Sequence, residues 1–157
     1  MDAVIKSSDL TIGIDIGGTK ISAGVVDSSG NIIDSSRIST PAEGGKELIL
    51  AVINLIKELK EKHEIKGIGI SIAALISSDY GTIVGAPNIA NLSKLNFVNE
   101  IKAEFKLPIV VENDANSAMW AEFKFGNAKG LNPVMFFIIG TGAGGGLVID
   151  GKLFKGA

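Results

Sequence analysis

Asp15 is followed by Gly17, Gly18, Thr19 and Lys20 between two β-branched runs, a set of residue types that could grip a metal-bound phosphate. Glycine permits positive φ and close backbone approach, so successive N–H groups can converge on an anion while a hydroxyl and an ammonium add further donors. A neighbouring carboxylate suits Mg²⁺, which keeps several waters and needs only one or two protein carboxylates. The stretch Gly140-Thr141-Gly142-Ala143-Gly144-Gly145-Gly146 repeats the theme, again between strand-like runs and again ahead of an aspartate and a turn. The two cradles predict a polyphosphate held from two sides, by Gly17, Gly18, Thr19 and Lys20 on one and by Thr141, Gly142 and Gly144 on the other, with Asp15 on the metal. Each has a plainer use as a tight hairpin, and Lys20 as a solvated lysine.

Between the cradles, a short apolar run delivers Glu112-Asn113-Asp114 to the start of a helix. Aspartate there commonly caps a helix by accepting backbone N–H bonds. It is also placed to take the proton of a substrate hydroxyl as that oxygen attacks a phosphoryl group. Asn113 could hold a neighbouring hydroxyl or satisfy loop amides. Met119, Trp120 and Phe123 read as core, and His63, between Lys62 and Glu64, as a solvated helix end.

Three familiar nucleotide motifs are excluded. Gly140 to Gly145 fits G-x-G-x-x-G, but β-rich Leu147-Val148-Ile149 follows where a dinucleotide fold needs a helix. No H-R-D or D-F-G tripeptide accompanies it, as a protein kinase requires. The pairs Gly45-Lys46 and Gly151-Lys152 precede Glu47 and Leu153 rather than serine or threonine, so no Walker A loop is present.

The positioning elements follow from periodicity. Alternating runs predict strands over 10–16, 21–26 and 32–38 joined by the first glycine turn and by Ser28-Ser29-Gly30-Asn31. Leu48, Val52, Leu55, Ile56 and Leu59 recur at helical spacing and predict a helix over 45–62, in preference to a capping-box start at Thr40-Pro41-Ala42-Glu43. Further strands are expected over 65–72, 82–84, 107–111, 133–139 and 146–149, with a hairpin through 77–81 and helices over 96–105 and 115–125, the last stopped by Gly126. This order predicts an α/β fold: a mixed five-stranded sheet with flanking helices, the ribonuclease H-like or actin-like ATPase domain. Residues 1–130 would form that domain and 131–157 the first hairpin of a second.

The 157 residues, 46% hydrophobic and 20% charged, suffice for a folded core. A net charge of -2 and a pI near 5.4 give no basic field for nucleic acid. With no cysteine and one histidine there is neither a disulfide framework nor a zinc centre. The start lacks a signal-peptide pattern and the longest apolar run, Val134 to Ile139, is too short to span a bilayer. A cytoplasmic protein without a membrane partner is expected.

DIGGTK at Asp15 to Lys20, VENDANSAMWAE at Val111 to Glu122 and IGTGAGGG at Ile139 to Gly146 together resemble the ROK family of sugar kinases and repressors. The resemblance implies an ATP- and Mg²⁺-dependent, glucokinase-like kinase of a hexose or related sugar. Asp114 would be its catalytic base, Asn113 and Asp114 its sugar ligands, and the segments around Thr19 and Thr141 its phosphate loops. The chain departs from the family where Ile70-Ser71-Ile72-Ala73-Ala74-Leu75 lacks the usual glycine and proline, and where Asn91 to Phe97 lacks the usual tryptophan. A further block with a sugar-binding histidine and glutamate would begin beyond Ala157, so an N-terminal fragment, inactive alone, of a homo-oligomeric parent is implied. The alternatives are a sugar-sensing repressor, whose helix-turn-helix would have to precede the first strand, and a half-protein that only binds a partner chain.

Overall fold

Isoleucines alternating with small or polar residues make Leu10–Ile16 a strand, β1, that buries Ile12, Ile14 and Ile16 on one face and presents Gly13 and Asp15 on the other. In the computed structural model, which describes residues 9–77, 82–93, 95–139 and 142–155, β1 is the middle strand of a five-stranded sheet. It pairs antiparallel with β2 (Lys20–Val26), which pairs antiparallel with β3 (Ile32–Ser39). On its other side runs β4 (Ile65–Ile72), parallel to β1, and beyond that β7 (Ile109–Asn113). The strand order is β3-β2-β1-β4-β7, the mixed sheet expected from the sequence. The last strand starts two residues later than periodicity predicts, because Pro108 has no N–H for a ladder; its carbonyl instead accepts the Ile68 N–H at 2.9 Å.

Helix α1 (Gly45–Lys62) buries Leu48, Ile49, Val52, Leu55, Ile56 and Leu59 in the cluster that holds the inward isoleucines of β1 and β4. Burying each such side chain stabilises the fold by about 1.5–3 kcal/mol. The helix begins after Gly44 rather than at the capping-box sequence. Gly44 has φ 59°, and a Cβ there would lie 1.9 Å from the Ala90 carbonyl oxygen, which accepts the Gly45 N–H at 3.0 Å. Only glycine allows that approach.

The connection between β4 and helix α2 (Phe97–Glu104) carries a short antiparallel pair, β5 (Leu75–Ile76) and β6 (Ile83–Gly85). The Ser77 N–H donates to the Thr82 carbonyl at 2.9 Å, as the predicted hairpin requires; residues 78–81 of that turn lie outside the described residues.

The chain falls into two compact units, the first ending at Glu112 and the second beginning at Asn113. The later unit comprises α3 (Asp114–Phe125) and an antiparallel sheet of β8 (Val134–Ile139), β9 (Ala143–Ile149) and β10 (Lys152–Phe154). Helix α3 goes with this sheet because Met119 and Val148 share a core to which Trp120, Phe123, Val134, Phe136 and Leu153 add. The Trp120 and Phe123 rings stack at 5.6 Å. Along β8 Met135, Phe137, Ile138 and Ile139 are exposed, Ile139 by 87%.

His63 is not the solvated helix end expected. It follows α1, and its Nε2 lies 3.0 Å from Oδ2 of Asp34 on β3. That bond, helped by the Ser35 amide, holds the Asp34 carboxyl below the usual aspartate range. A lowered folded-state value makes the tie intact above the ordinary range and lost as pH falls through the lowered one. A carbon-detected NMR titration should therefore give Asp34 an unusually acidic midpoint that His63→Ala moves upward; a midpoint unmoved by that substitution contradicts the tie.

Candidate functional site

The first glycine turn is fastened from behind. Its Gly17 N–H donates to the Lys20 carbonyl at 3.0 Å, closing the β1–β2 hairpin. Thr40, just past β3, then ties two more of the turn's carbonyls: its hydroxyl donates to Gly17 O at 2.7 Å and its N–H to Thr19 O at 3.0 Å. The Gly18 and Thr19 amides take part in none of these bonds. With the Gly17, Thr19 and Lys20 carbonyls tied back, these two amides are what the turn can offer an anion. Gly18 must lack a side chain, because a Cβ would stand 2.7 Å from the Asn88 carbonyl oxygen. Lys20 opens β2, exposed and opposite Ser39.

Asp15 precedes this turn by one residue on the sheet face away from the core. Register sets Ser22 and Ser71 on either side of it, and the Ser71 hydroxyl donates to Asp15 Oδ1 at 3.2 Å. Among the described residues no three histidine, cysteine, aspartate or glutamate side chains gather as a metal cage. A single exposed carboxylate beside anion-facing amides fits a magnesium ion that arrives with phosphate oxygens and its own waters.

At the start of α3 the capping role falls to Asn113 rather than Asp114. Asn113 Oδ1 accepts the Ala115 and Asn116 amides at 3.0 and 3.3 Å, and its Nδ2 donates to Asp114 Oδ1 at 2.9 Å. Asp114 is the first helical residue, and its Oδ1 also accepts the Ala115 amide at 2.9 Å. Each of these bonds falls on Oδ1, so the exposed Asp114 carboxylate is oriented through one oxygen while Oδ2 takes part in none of them. The helix dipole favours negative charge at this place.

In the second glycine stretch, Gly140 and Thr141 lie outside the described residues. Gly142 stands open, with nothing within 4 Å of a built Cβ. Gly144 lies in β9 opposite Ile138, where a Cβ would come 3.1 Å from that of Ala115 on α3, so its bareness serves helix-on-sheet packing. A strand does follow the glycines, in agreement with the rejection of a dinucleotide motif.

Three contributors escape sequence reasoning: Thr40, Ser71 and Asn88. Thr40 could have been found from the pairing of Lys20 with Ser39, the last residue of β3, which sets the residue after the strand beside the turn. Ser71 and Asn88 left no local signal.

The sequence pattern of the ROK family matches residues 11–157. The chain belongs to the ROK family. Among ROK relatives, a glucokinase of Streptomyces coelicolor is 42% identical over 147 residues, 94% of this chain and 46% of that protein. An N-acetylmannosamine kinase of Yersinia pseudotuberculosis is 34% identical over 92% of this chain and 49% of its own length. The crystal structure of a ROK glucokinase from Streptomyces griseus, in complex with glucose and AMPPNP, superposes with a TM-score of 0.86 at 38% identity, covering 94% of this chain and 47% of that one. The chain thus spans about half the length of the relatives it matches, and its α/β fold is that of ROK sugar kinases, consistent with the actin-like ATPase class.

Gly18→Ala should destabilise the chain by about 1–3 kcal/mol, since the Asn88 backbone must move to admit the methyl group. Gly13→Ala, whose Cβ would meet only Val26 Cγ2 at 4.0 Å, should change stability by less than about 0.5 kcal/mol. Urea denaturation of both variants checks this, and equal losses would contradict the close approach at Gly18.

Proposed function

We propose that the parent protein transfers the γ-phosphoryl group of ATP to a hydroxyl of a hexose or a related sugar, and that this chain is its N-terminal half. Asp114 is the base: its Oδ2 takes the hydroxyl proton as the sugar oxygen bonds to phosphorus and the bond to the bridging oxygen of ADP breaks. Asn113 holds a neighbouring sugar hydroxyl as well as capping α3. Gly17, Gly18, Thr19 and Lys20 bind phosphate oxygens, as do Thr141, Gly142 and Gly144. Magnesium, held through Asp15, would neutralise charge on the phosphates. The work left to the protein is positioning and charge compensation, which together dominate phosphoryl transfer.

The observation that carries this reading is the Asp114 carboxylate at the start of α3, fixed through Oδ1 with Oδ2 uncommitted to those bonds. The relatives named glucokinase and N-acetylmannosamine kinase support the reaction class. In the complete native protein, Asp114→Ala should lower kcat for sugar phosphorylation by about 10²–10⁴-fold while leaving nucleotide affinity within a few-fold. A coupled kinase assay over a panel of hexoses and amino sugars, with calorimetry for nucleotide binding, tests both; retained turnover removes the base assignment.

The division of the parent into a domain over residues 1–130 and a second domain opening at 131 is part of the same proposal. It is supported by the repeat of three consecutive antiparallel strands, β1-β2-β3 and then β8-β9-β10, each preceded or joined by glycine. In the first, isoleucines of β1 are buried in the cluster that contains α1; in the second, Met135, Phe137 and Ile139 are exposed on the edge strand β8. Sequence beyond residue 157 would cover them. The 157-residue chain should therefore bind the dye ANS and phosphorylate no sugar, and the complete protein should bind far less dye; equal dye binding by the two would contradict this division.

A further inference from the structure

Asp15 occupies an unusually bare part of its sheet. The strand register sets Gly24, Gly13 and Gly69 side by side across β2, β1 and β4, with Ser22, Asp15 and Ser71 as the next row on the same face. A Cβ built at Gly69 would meet nothing within 4 Å, and one at Gly13 only a methyl group at 4.0 Å. Packing therefore does little to choose a rotamer for the Asp15 side chain. Of the two flanking hydroxyls, that of Ser22 accepts the Arg37 Nε–H at 3.2 Å from the β3 side, whereas that of Ser71 donates to Asp15 Oδ1 at 3.2 Å. Among the described residues Ser71 is the one side chain hydrogen-bonded to Asp15.

We propose that Ser71 is a positioning residue for the metal carboxylate: its hydroxyl holds Oδ1 and so leaves Oδ2 to the water shell of the divalent ion that accompanies the nucleotide. This rests on the reading of Asp15 given under the proposed function. Parallel pairing of β1 with β4 makes the arrangement, since a register shift by one residue would turn Ser71 to the buried face and bring an isoleucine beside Asp15. A single hydrogen bond to an exposed carboxylate contributes modestly, so the effect is one of affinity rather than all-or-none loss.

The test is Mn²⁺ binding to the complete native protein with AMPPNP, followed by electron paramagnetic resonance, in Ser71→Ala, Ser71→Val and Ser71→Thr. Valine and threonine are near-isosteric, so their comparison isolates the hydroxyl. Ala and Val should each weaken Mn²⁺ about three- to tenfold, Thr should stay within twofold of wild type, and AMPPNP affinity without divalent ion should be unchanged in all three. The inference is overturned if Ala and Val bind Mn²⁺ like wild type, or if Thr behaves like Val. Asp15→Asn separates the two levels. If it abolishes the Mn²⁺ site while Ala and Val at position 71 do not weaken it, Ser71 alone is misassigned; if it leaves Mn²⁺ affinity intact, the Asp15 reading fails and the Ser71 proposal with it.

Discussion

The two-residue period of strand β1 governs the unit around it, because successive side chains must point to opposite faces. Ile12, Ile14 and Ile16 go inward and join the cluster that α1 completes; Gly13 and Asp15 are thereby forced outward. The burial that stabilises the sheet and the exposure that makes a carboxylate available are one consequence of one alternation. Parallel pairing with β4 carries the same phase across, so Ile68, Ile70 and Ile72 are buried while Gly69 and Ser71 share the face of Asp15.

At the end of β1 the controlling physics changes from packing to hydrogen-bond satisfaction. A tight turn has few backbone groups, and those not bonded to protein must face water or a ligand. Thr40 uses both its N–H and its hydroxyl on the carbonyls of Gly17 and Thr19, which biases what remains toward donors. The start of α3 follows a related logic: Asn113 answers the helix amides and also donates to Asp114, so one capping residue both ends the strand and orients the neighbouring carboxylate.

The sequence made legible what depends on local pattern. The 18-residue helix α1, the alternating strands and the glycine turns are encoded in residues a few positions apart, and α1 and β4 fall where periodicity sets them. Contacts closed by sheet register were not legible. Thr40 reads as part of a capping box until its place beside Thr19 is known, and His63 reads as solvated until β3 brings Asp34 to it. Aspartate and asparagine are comparable N-caps, so composition alone could not decide between Asn113 and Asp114. The grouping of α3 with the later hairpin depends on the meeting of Met119 and Val148, residues almost thirty positions apart, which no local window contains.

The central claim is that the turn after β1 receives phosphate on the amides its carbonyl ties leave over. Backbone ¹⁵N–¹H spectra of the native protein titrated with Mg·AMPPNP test it most directly. The account predicts large shifts at Gly18 and Thr19 and a smaller one at Gly17, whose N–H is already bonded to Lys20. Saturable nucleotide binding that leaves Gly18 and Thr19 unmoved would contradict it.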